Sequence, residues 1–313
     1  MRYLVTGGAG FIGSHLCNRL LAKNHSVVCI DDLSTGRLAN LKQCLKHPKF
    51  LFVEQDIRKS FDYEVDGIFH LGCAASPVHY QAEPIKTLET NFLGTQNALE
   101  LATRLGIKVL FTSTSEVYGD PHIHPQTETY LGNVNCFGPR ACYDEGKRVA
   151  ETLCYEYHHR KGTQIRVARI FNTYGPHMAI NDGRIISNFI IQALKNVPIT
   201  IYGNGEQTRS FCYVDDNLNG LHALFHSEIQ NPVNIGAPFE FTVNKLAKMV
   251  KKLTHSSSEL IYHPLPGDDP KQRRPDISNA EQHLQWSPQV SLQEGLQLTI
   301  EYFKHALAEK SPA

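Results

Sequence analysis

The stretch that most limits what this chain can fold into is Gly7-Gly8-Ala9-Gly10-Phe11-Ile12-Gly13. It follows the apolar run Tyr3-Leu4-Val5 and opens a segment, Phe11 to Lys23, whose apolar residues recur at helical spacing. Ser26-Val27-Val28-Cys29-Ile30, ending at Asp31, then reads as a second strand, so the opening segment spells a βαβ unit. Glycines at 7, 10 and 13, or at 8, 10 and 13 in the standard G-x-G-x-x-G spacing, let the backbone turn tightly and approach a pyrophosphate. They also seat the helix against the sheet, with its N-terminus towards the phosphates.

A glycine pattern alone is weak evidence, and the plain alternative is a tight turn that holds no ligand. Here a strand precedes it, a helix follows it, and Asp31 answers it 18 residues beyond Gly13 at the end of the second strand. A carboxylate in that place accepts a hydrogen bond from a ribose 2'-hydroxyl and repels a 2'-phosphate, which favours NAD over NADP as the cofactor. Gly7, Gly10, Phe11, Ile12, Gly13 and Asp31 are therefore expected to line a dinucleotide. Asp56 and Ile57 are expected to flank its adenine, with Leu71 closing the next strand beside it. Arg37 reads as an ordinary solvated loop base rather than a phosphate ligand.

Further strands are expected at Phe50 to Val53, Gly67 to Leu71, Val109 to Thr112 and Ile165 to Arg169, with helices around Pro84 to Leu105 and Tyr143 to Arg160. Such alternation implies a parallel sheet covered on both faces. After Asn172 the elements shorten, as in Ile186 to Leu194, Ile199 to Tyr202, Val243 to Leu253 and Leu292 to His305. The turn Tyr174-Gly175-Pro176 and the segment Pro264 to Pro275, which carries four prolines and reads as a loop, bound this second region. Phe211 to Phe225 reads as a strand and helix that return to the first. The expected fold is α/β, a Rossmann-type doubly wound parallel sheet with a smaller C-terminal substrate-binding lobe. Residues 1–171, with 207–236 returning, form the NAD-binding domain, and residues 172–206 and 237–313 form the lobe. No internal repeat is visible.

A chain of 313 residues can bury about three quarters of its unfolded surface. Lys plus Arg and Asp plus Glu both number 31, so no global basic field recruits nucleic acid or an acidic membrane. No apolar run approaches the roughly 18 residues of a membrane span. A first strand beginning at Arg2 leaves no room for a targeting peptide, and eight cysteines without a Cys-x-x-Cys spacing read as buried, reduced thiols. A soluble, cytoplasmic protein is the expectation.

The chemistry is carried by Ser113-Thr114-Ser115-Glu116, after a strand, and by Tyr143-Asp144-Glu145-Gly146-Lys147. Tyr143 and Lys147 lie four apart and so share one helix face. A nearby ammonium stabilises tyrosinate and draws the tyrosine pKa towards the range of a base. Tyr-x-x-x-Lys is common by chance; behind a dinucleotide loop and a Ser/Thr cluster it becomes specific. Glu116 is a carboxylate that simple alcohol oxidation does not require, its bland alternative being a cap on a strand end.

Several longer runs carry a resemblance. Ser76-Pro77-Val78-His79-Tyr80, Ser113 to Pro121, Gly138 to Arg148, Arg169 to Pro176, Gln207 to Val214 and Arg273 to Ile277 resemble the UDP-glucuronate decarboxylase (UDP-xylose synthase) family. That family is a nucleotide-sugar branch of the extended short-chain dehydrogenase/reductases, and the likeness spans essentially the full chain. It implies that Tyr143 removes the C4 hydroxyl proton while C4 is oxidised by NAD, placing a ketone β to the C6 carboxylate. Carbon dioxide then leaves, the enolate is reprotonated at C5, and the bound reduced cofactor restores C4 to give UDP-xylose. By the same resemblance Lys147 assists Tyr143, Thr114 or Ser115 hydrogen-bonds the reacting oxygen, and Glu116 positions the sugar and manages proton transfer. Asn172 and Arg209 would bind the diphosphate, Arg273 the sugar end, Tyr80 the sugar carboxylate and Tyr202 the uracil, while Arg274 reads as solvated. The helices near Pro84 to Leu105 and Tyr143 to Arg160 would make a homodimer contact.

The chain departs from the family's pattern at Gly72-Cys73-Ala74-Ala75, which loses a proline, at Asp32 in place of Asn, and at Cys136-Phe137 in place of Pro-Ile. None of these removes a reacting group. Rival readings are a 4,6-dehydratase or 4-epimerase on the same frame, a decarboxylase that releases the 4-keto pentose, and, in another class, an inactive NAD-sensing interaction protein. His122 with His124, and His158 with His159, lack the spacing and third ligand of a zinc site, so no metal is expected.

Overall fold

The computed structural model describes residues 1–264 and 272–308. Six strands, β1 (Arg2–Thr6), β2 (Ser26–Asp31), β3 (Phe50–Glu54), β4 (Gly67–His70), β5 (Lys108–Thr114) and β6 (Gln164–Ile170), join the short strand Val233–Ile235 in one sheet. The spatial order is Val233–Ile235, β6, β5, β4, β1, β2, β3, and every pairing is parallel. The chain winds outward from β1 to β3 on one side and from β4 to β6 on the other. Its direction therefore reverses between β1 and β4, and a crevice opens at their C-terminal ends.

Parallel strands of this kind are apolar throughout because both faces are covered. Leu4, Val28, Ile68, Val109, Phe111 and Val167 turn to one face, where they pack with Leu99 and Ala102 of α4 (Thr95–Leu105) and Ala150 and Cys154 of α5 (Ala141–Lys161). Tyr3, Val5, Val27, Cys29, Phe69 and Leu110 turn to the other, against Leu16 and Leu20 of α1 (Phe11–Ala22) and Leu221 and Leu224 of the helix Val214–His226. Two short helices, α2 (Pro77–Tyr80) and α3 (Pro84–Glu89), lead into α4.

The helical stretch expected around Pro84 to Leu105 contains a π turn at Thr90–Gly94. Within that turn Asn91 lies against α5, where a Cβ on Gly146 would sit 2.9 Å from its Nδ2. The glycine between Tyr143 and Lys147 thus lets the two helices approach closely.

Thr6 ties the crevice floor together. Its hydroxyl accepts the backbone N–H groups of Leu71 and Gly72, at 3.2 and 3.1 Å, and meets His70 Nδ1 at 2.8 Å. The segment after β4 is thereby drawn onto the glycine turn, so close that a Cβ on Gly7 would lie 2.8 Å from the Gly72 Cα. Gly7 also has φ +68°, a left-handed conformation that disfavours a side chain.

Beyond Ile170 the elements are short. Thr208–Ser210 pairs antiparallel with Glu240–Thr242 and parallel with Gln272–Arg273, while Ile199–Tyr202 pairs parallel with Leu260–His263. The expected loop Pro264 to Pro275 is corrected at its end, where Gln272–Arg273 is a strand; residues 265–271 of that expectation lie outside the described residues. Strands of two or three residues are too short to show an alternating pattern, so Thr208–Ser210, Val233–Ile235 and Glu240–Thr242 leave no signal in the sequence. All eight cysteines are free thiols, but not all are buried: Cys73 and Cys142 are half-buried and Cys136 is exposed. Among the described residues no helix is long and apolar enough to cross a membrane.

Candidate active site

The crevice between β1 and β4 is lined by Gly7, Gly10, Phe11, Ile12, Gly13, Asp31, Asp56, Ile57 and Leu71, all nine of the expected cofactor positions outside the Tyr–Lys pair. Its glycines leave a cradle that side chains would fill, since a Cβ on Gly13 would lie 2.2 Å from the Gly7 carbonyl oxygen. The first turn of α1 has no side-chain cap and no acidic residue, so its N–H groups face the cradle unopposed, as a diphosphate requires. Asp31 is buried, and its carboxylate accepts the N–H groups of Ala9 and Leu33, each at 2.9 Å. Burial pushes its pKa up while those two amides pull against it. These residues fit a dinucleotide.

Arg37 is not the solvated loop base that the sequence suggests. Its Nη2 donates to the carbonyl oxygens of His177 and Met178 and to the Tyr302 hydroxyl, tying the β2 loop to the C-terminal region. Asp32, the departure from the family pattern, is met at 3.0 Å by the Lys86 ammonium of α3.

At the other end of the crevice Thr114, Ser115 and Glu116 leave β5 beside Tyr143 and Lys147 of α5, so the expected catalytic residues share one lining. Lys147 is buried and donates from Nζ to the Thr112 carbonyl at 2.9 Å. Its Nζ lies 5.9 Å from the centroid of the Tyr143 ring. Burial pushes the Tyr143 phenol well up, Cys73 adds to this, and Thr114 opposes it. Burial likewise pushes the Lys147 ammonium down.

Glu116 is gripped from two sides. Arg273 donates from Nη1 to Oε1 and from Nη2 to Oε2, the latter at 2.8 Å, and Arg140 Nη2 donates to Oε2 at 2.7 Å. Burial acts to raise the carboxyl, but Arg273 and then Arg140 outweigh it and hold it at about 2. Glu116 is therefore an ionised carboxylate in a bidentate clamp, a geometry that only arginine offers.

The model of the NAD dependent epimerase/dehydratase family matches residues 3–236. This chain belongs to that family. Among members of the NAD dependent epimerase/dehydratase family, the chain is 51% identical over 310 residues to UDP-glucuronic acid decarboxylase 1 of Xenopus tropicalis, covering 99% of this chain and 74% of that protein. It is 53% identical over 305 residues to UDP-glucuronic acid decarboxylase 6 of Arabidopsis thaliana, covering 97% and 89%. It resembles the solved structure of the UDP-glucuronic acid 4-epimerase from Bacillus cereus in complex with UDP-glucuronic acid and NAD, with 30% identity and a TM-score of 0.88 over 98% of this chain and 100% of that one.

Within this epimerase/dehydratase frame, Asn172 lines the crevice and donates from Nδ2 to the Ser210 carbonyl at 3.3 Å. Arg209 stands directly opposite Arg273 in the parallel pairing of their strands. Tyr202 lies further out, 48% exposed, with its ring tilted against His263. Tyr80 departs from expectation. Its ring is fully buried against Tyr143, it is not part of the crevice lining, and its hydroxyl has no partner among the described residues. Arg274 is less solvated than expected, for its Nε is buried, with no partner among the described residues, and its Nη1 reaches Glu240 at 3.7 Å.

Sequence reasoning missed Arg140, which grips Glu116, and Asp144 beside it. Both stand in motifs already singled out, but nothing local distinguishes a residue that grips Glu116 from one that merely opens a helix.

Proposed function

We propose that this chain converts UDP-glucuronate to UDP-xylose, with NAD as a resident cofactor that is reduced and reoxidised in each cycle. The observation that carries the reading is the clamped Glu116 carboxylate beside Tyr143, in a chain half identical over its length to proteins named UDP-glucuronic acid decarboxylase. Bound NAD supplies the two-electron acceptor for C4 and a positive charge that favours tyrosinate. Tyr143 then takes the C4 hydroxyl proton, with Lys147 holding the charge balance and the Thr114 or Ser115 hydroxyl directing the reacting oxygen. A ketone at C4 lies β to the carboxylate, so the C5–C6 bond breaks, carbon dioxide leaves, and the bonding pair stays on the sugar, delocalised as an enolate. Glu116, ionised and fixed, orients the sugar between the arginines, C5 is reprotonated, and Tyr143 returns its proton when C4 is reduced.

Residues 1–171 with 207–236 serve the cofactor and residues 172–206 with 237–313 the nucleotide sugar in this reading. Gly7, Gly10, Phe11, Ile12, Gly13, Asp31, Asp56, Ile57 and Leu71 hold NAD. Asn172 and Arg209 take the diphosphate, Arg273 the sugar end and Tyr202 the uracil. Tyr80 supports the Tyr143 ring. The protein works in the cytoplasm, which its free thiols favour, and as a homodimer, which exposed Ile85, Leu88, Phe92 and Leu93 around α3 and the π turn favour.

The test is an NMR time course of NAD-loaded protein with UDP-glucuronate, with carbon dioxide assayed in parallel. UDP-xylose with stoichiometric carbon dioxide and no net reduced cofactor is the expected result. A 4-keto-6-deoxy sugar from a UDP- or dTDP-hexose, with no carbon dioxide, would replace this reading with a dehydratase.

A further inference from the structure

Asp144 follows Tyr143 on α5 and is only 6% exposed. Its Oδ1 has no hydrogen-bond partner among the described residues, and its Oδ2 lies 3.9 Å from Arg140 Nε. That same guanidinium grips Glu116 through Nη2 at 2.7 Å, so Arg140 bridges two carboxyl groups. Asp144 does not line the crevice; Glu116 does. Whatever Asp144 does for the reaction, it does through Arg140 and Glu116.

The charge count makes the consequence concrete. Glu116, Arg140 and Arg273 together carry one net positive charge, because two guanidiniums face one carboxylate. If Asp144 holds a proton, that charge stands, and the site attracts an anionic group on the sugar. If Asp144 ionises, the cluster is neutral and the attraction is lost. We propose that Asp144 is a positioning residue that sets the charge of the Glu116–Arg140–Arg273 cluster, and so the site's preference for a sugar that bears a carboxylate.

The surroundings raise the Asp144 carboxyl into the neutral range. Burial and then Glu116 act to raise the Asp144 carboxyl, with Glu145 adding to them, while Arg140 and Arg273 oppose; the balance stands at about 7. The N-terminal turn of α5 also opposes, since it favours an anion. Tyr80 of α2 faces the cluster as a neutral phenol, pushed up by burial, and Arg209 flanks Arg273 on the neighbouring strand. Asp144 is thus protonated on the acid side of neutrality and ionised on the basic side, and the net charge of the cluster falls as pH rises between pH 6 and 8.5.

This inference rests on UDP-glucuronate being the substrate, and the test separates the two. Calorimetric titrations of UDP-glucuronate and of UDP-glucose, from pH 6 to 8.5, are made on NAD-loaded Tyr143→Phe protein, in which the sugar stays unreacted. UDP-glucose corrects for effects on the uridine diphosphate. The preference for UDP-glucuronate should fall roughly fivefold or more across this range, as expected for losing one charge in a poorly solvated site. In Tyr143→Phe/Asp144→Asn it should become independent of pH and stay at the low-pH value. A preference already flat with pH in Tyr143→Phe overturns the inference without need of the second variant. So does a slope that persists unchanged in Asp144→Asn. Equal affinity for the two sugars at every pH would defeat the substrate reading itself, and the inference with it.

Discussion

The ring of Tyr80 lies parallel to that of Tyr143, 4.9 Å from centroid to centroid with 6° between their planes. A buried tyrosine whose hydroxyl has no hydrogen-bond partner among the described residues contributes its ring and not its oxygen. Tyr80→Phe should therefore keep UDP-glucuronate KM and turnover near the parent values and leave the melting temperature equal or higher. Tyr80→Ala should lower kcat about tenfold or more, through a freed Tyr143, and destabilise the fold by about 3–5 kcal/mol in denaturant titration. A KM raised in Tyr80→Phe would instead mean that the hydroxyl reaches the sugar.

Tyr143→Phe should lower turnover by roughly 100- to 10,000-fold, the range for loss of a positioned proton acceptor. NAD affinity, read by fluorescence quenching, should hold, because the nine crevice positions at the glycine end are untouched. Turnover at the parent rate would remove Tyr143 from the mechanism.

Glu116→Gln leaves two guanidiniums facing an uncharged amide. Stripping one partner from a largely buried ion pair costs about 3–5 kcal/mol, so the variant should melt lower at pH 7 and lose most of its turnover. The carboxyl is held near 2 against an ordinary 4.5, so its contribution to stability is full above pH 4.5 and lost as pH falls through about 2. The gap in melting temperature between parent and variant should therefore shrink across that window. A constant gap would mean that the lost stability is packing and not charge.

Asp31→Asn should weaken NAD roughly tenfold or more, because a charged acceptor for the ribose is lost. It should gain little affinity for NADP. Arg37, the nearby base, already donates to His177, Met178 and Tyr302, so it has no geometry to spare for a 2'-phosphate. Tight NADP binding in a calorimetric titration of this variant would contradict that commitment.

Ile85 is 75% exposed on α3, with Leu88, Phe92 and Leu93 close behind it in the chain. Ile85→Glu should halve the mass measured by light scattering at micromolar concentration and leave the far-ultraviolet circular dichroism unchanged. A parent protein that is already monomeric would end the dimer proposal.

What the sequence by itself determined is local. The strand, glycine turn and helix at the start, the acidic end of β2, and the Tyr143–Lys147 pair on one helix face each lie within a few turns of chain, where hydrophobic period and side-chain size govern the outcome. Such signals picked out residues that the fold brings to one crevice, and the apolar runs of β1 to β6 implied a sheet covered on both faces. The tertiary structure alone decided the state of the carboxylate. Arg273 reaches Glu116 across 157 residues because a two-residue strand, Gln272–Arg273, takes its register from Thr208–Ser210. A strand so short has no period to read, and its register depends on everything folded between. The same holds for Tyr80, stacked on Tyr143 and outside the crevice lining, and for Asp144, whose carboxyl feels charges brought in from other elements. Burial and Coulomb energy at these positions are sums over neighbours remote in sequence, and only the folded chain assembles them.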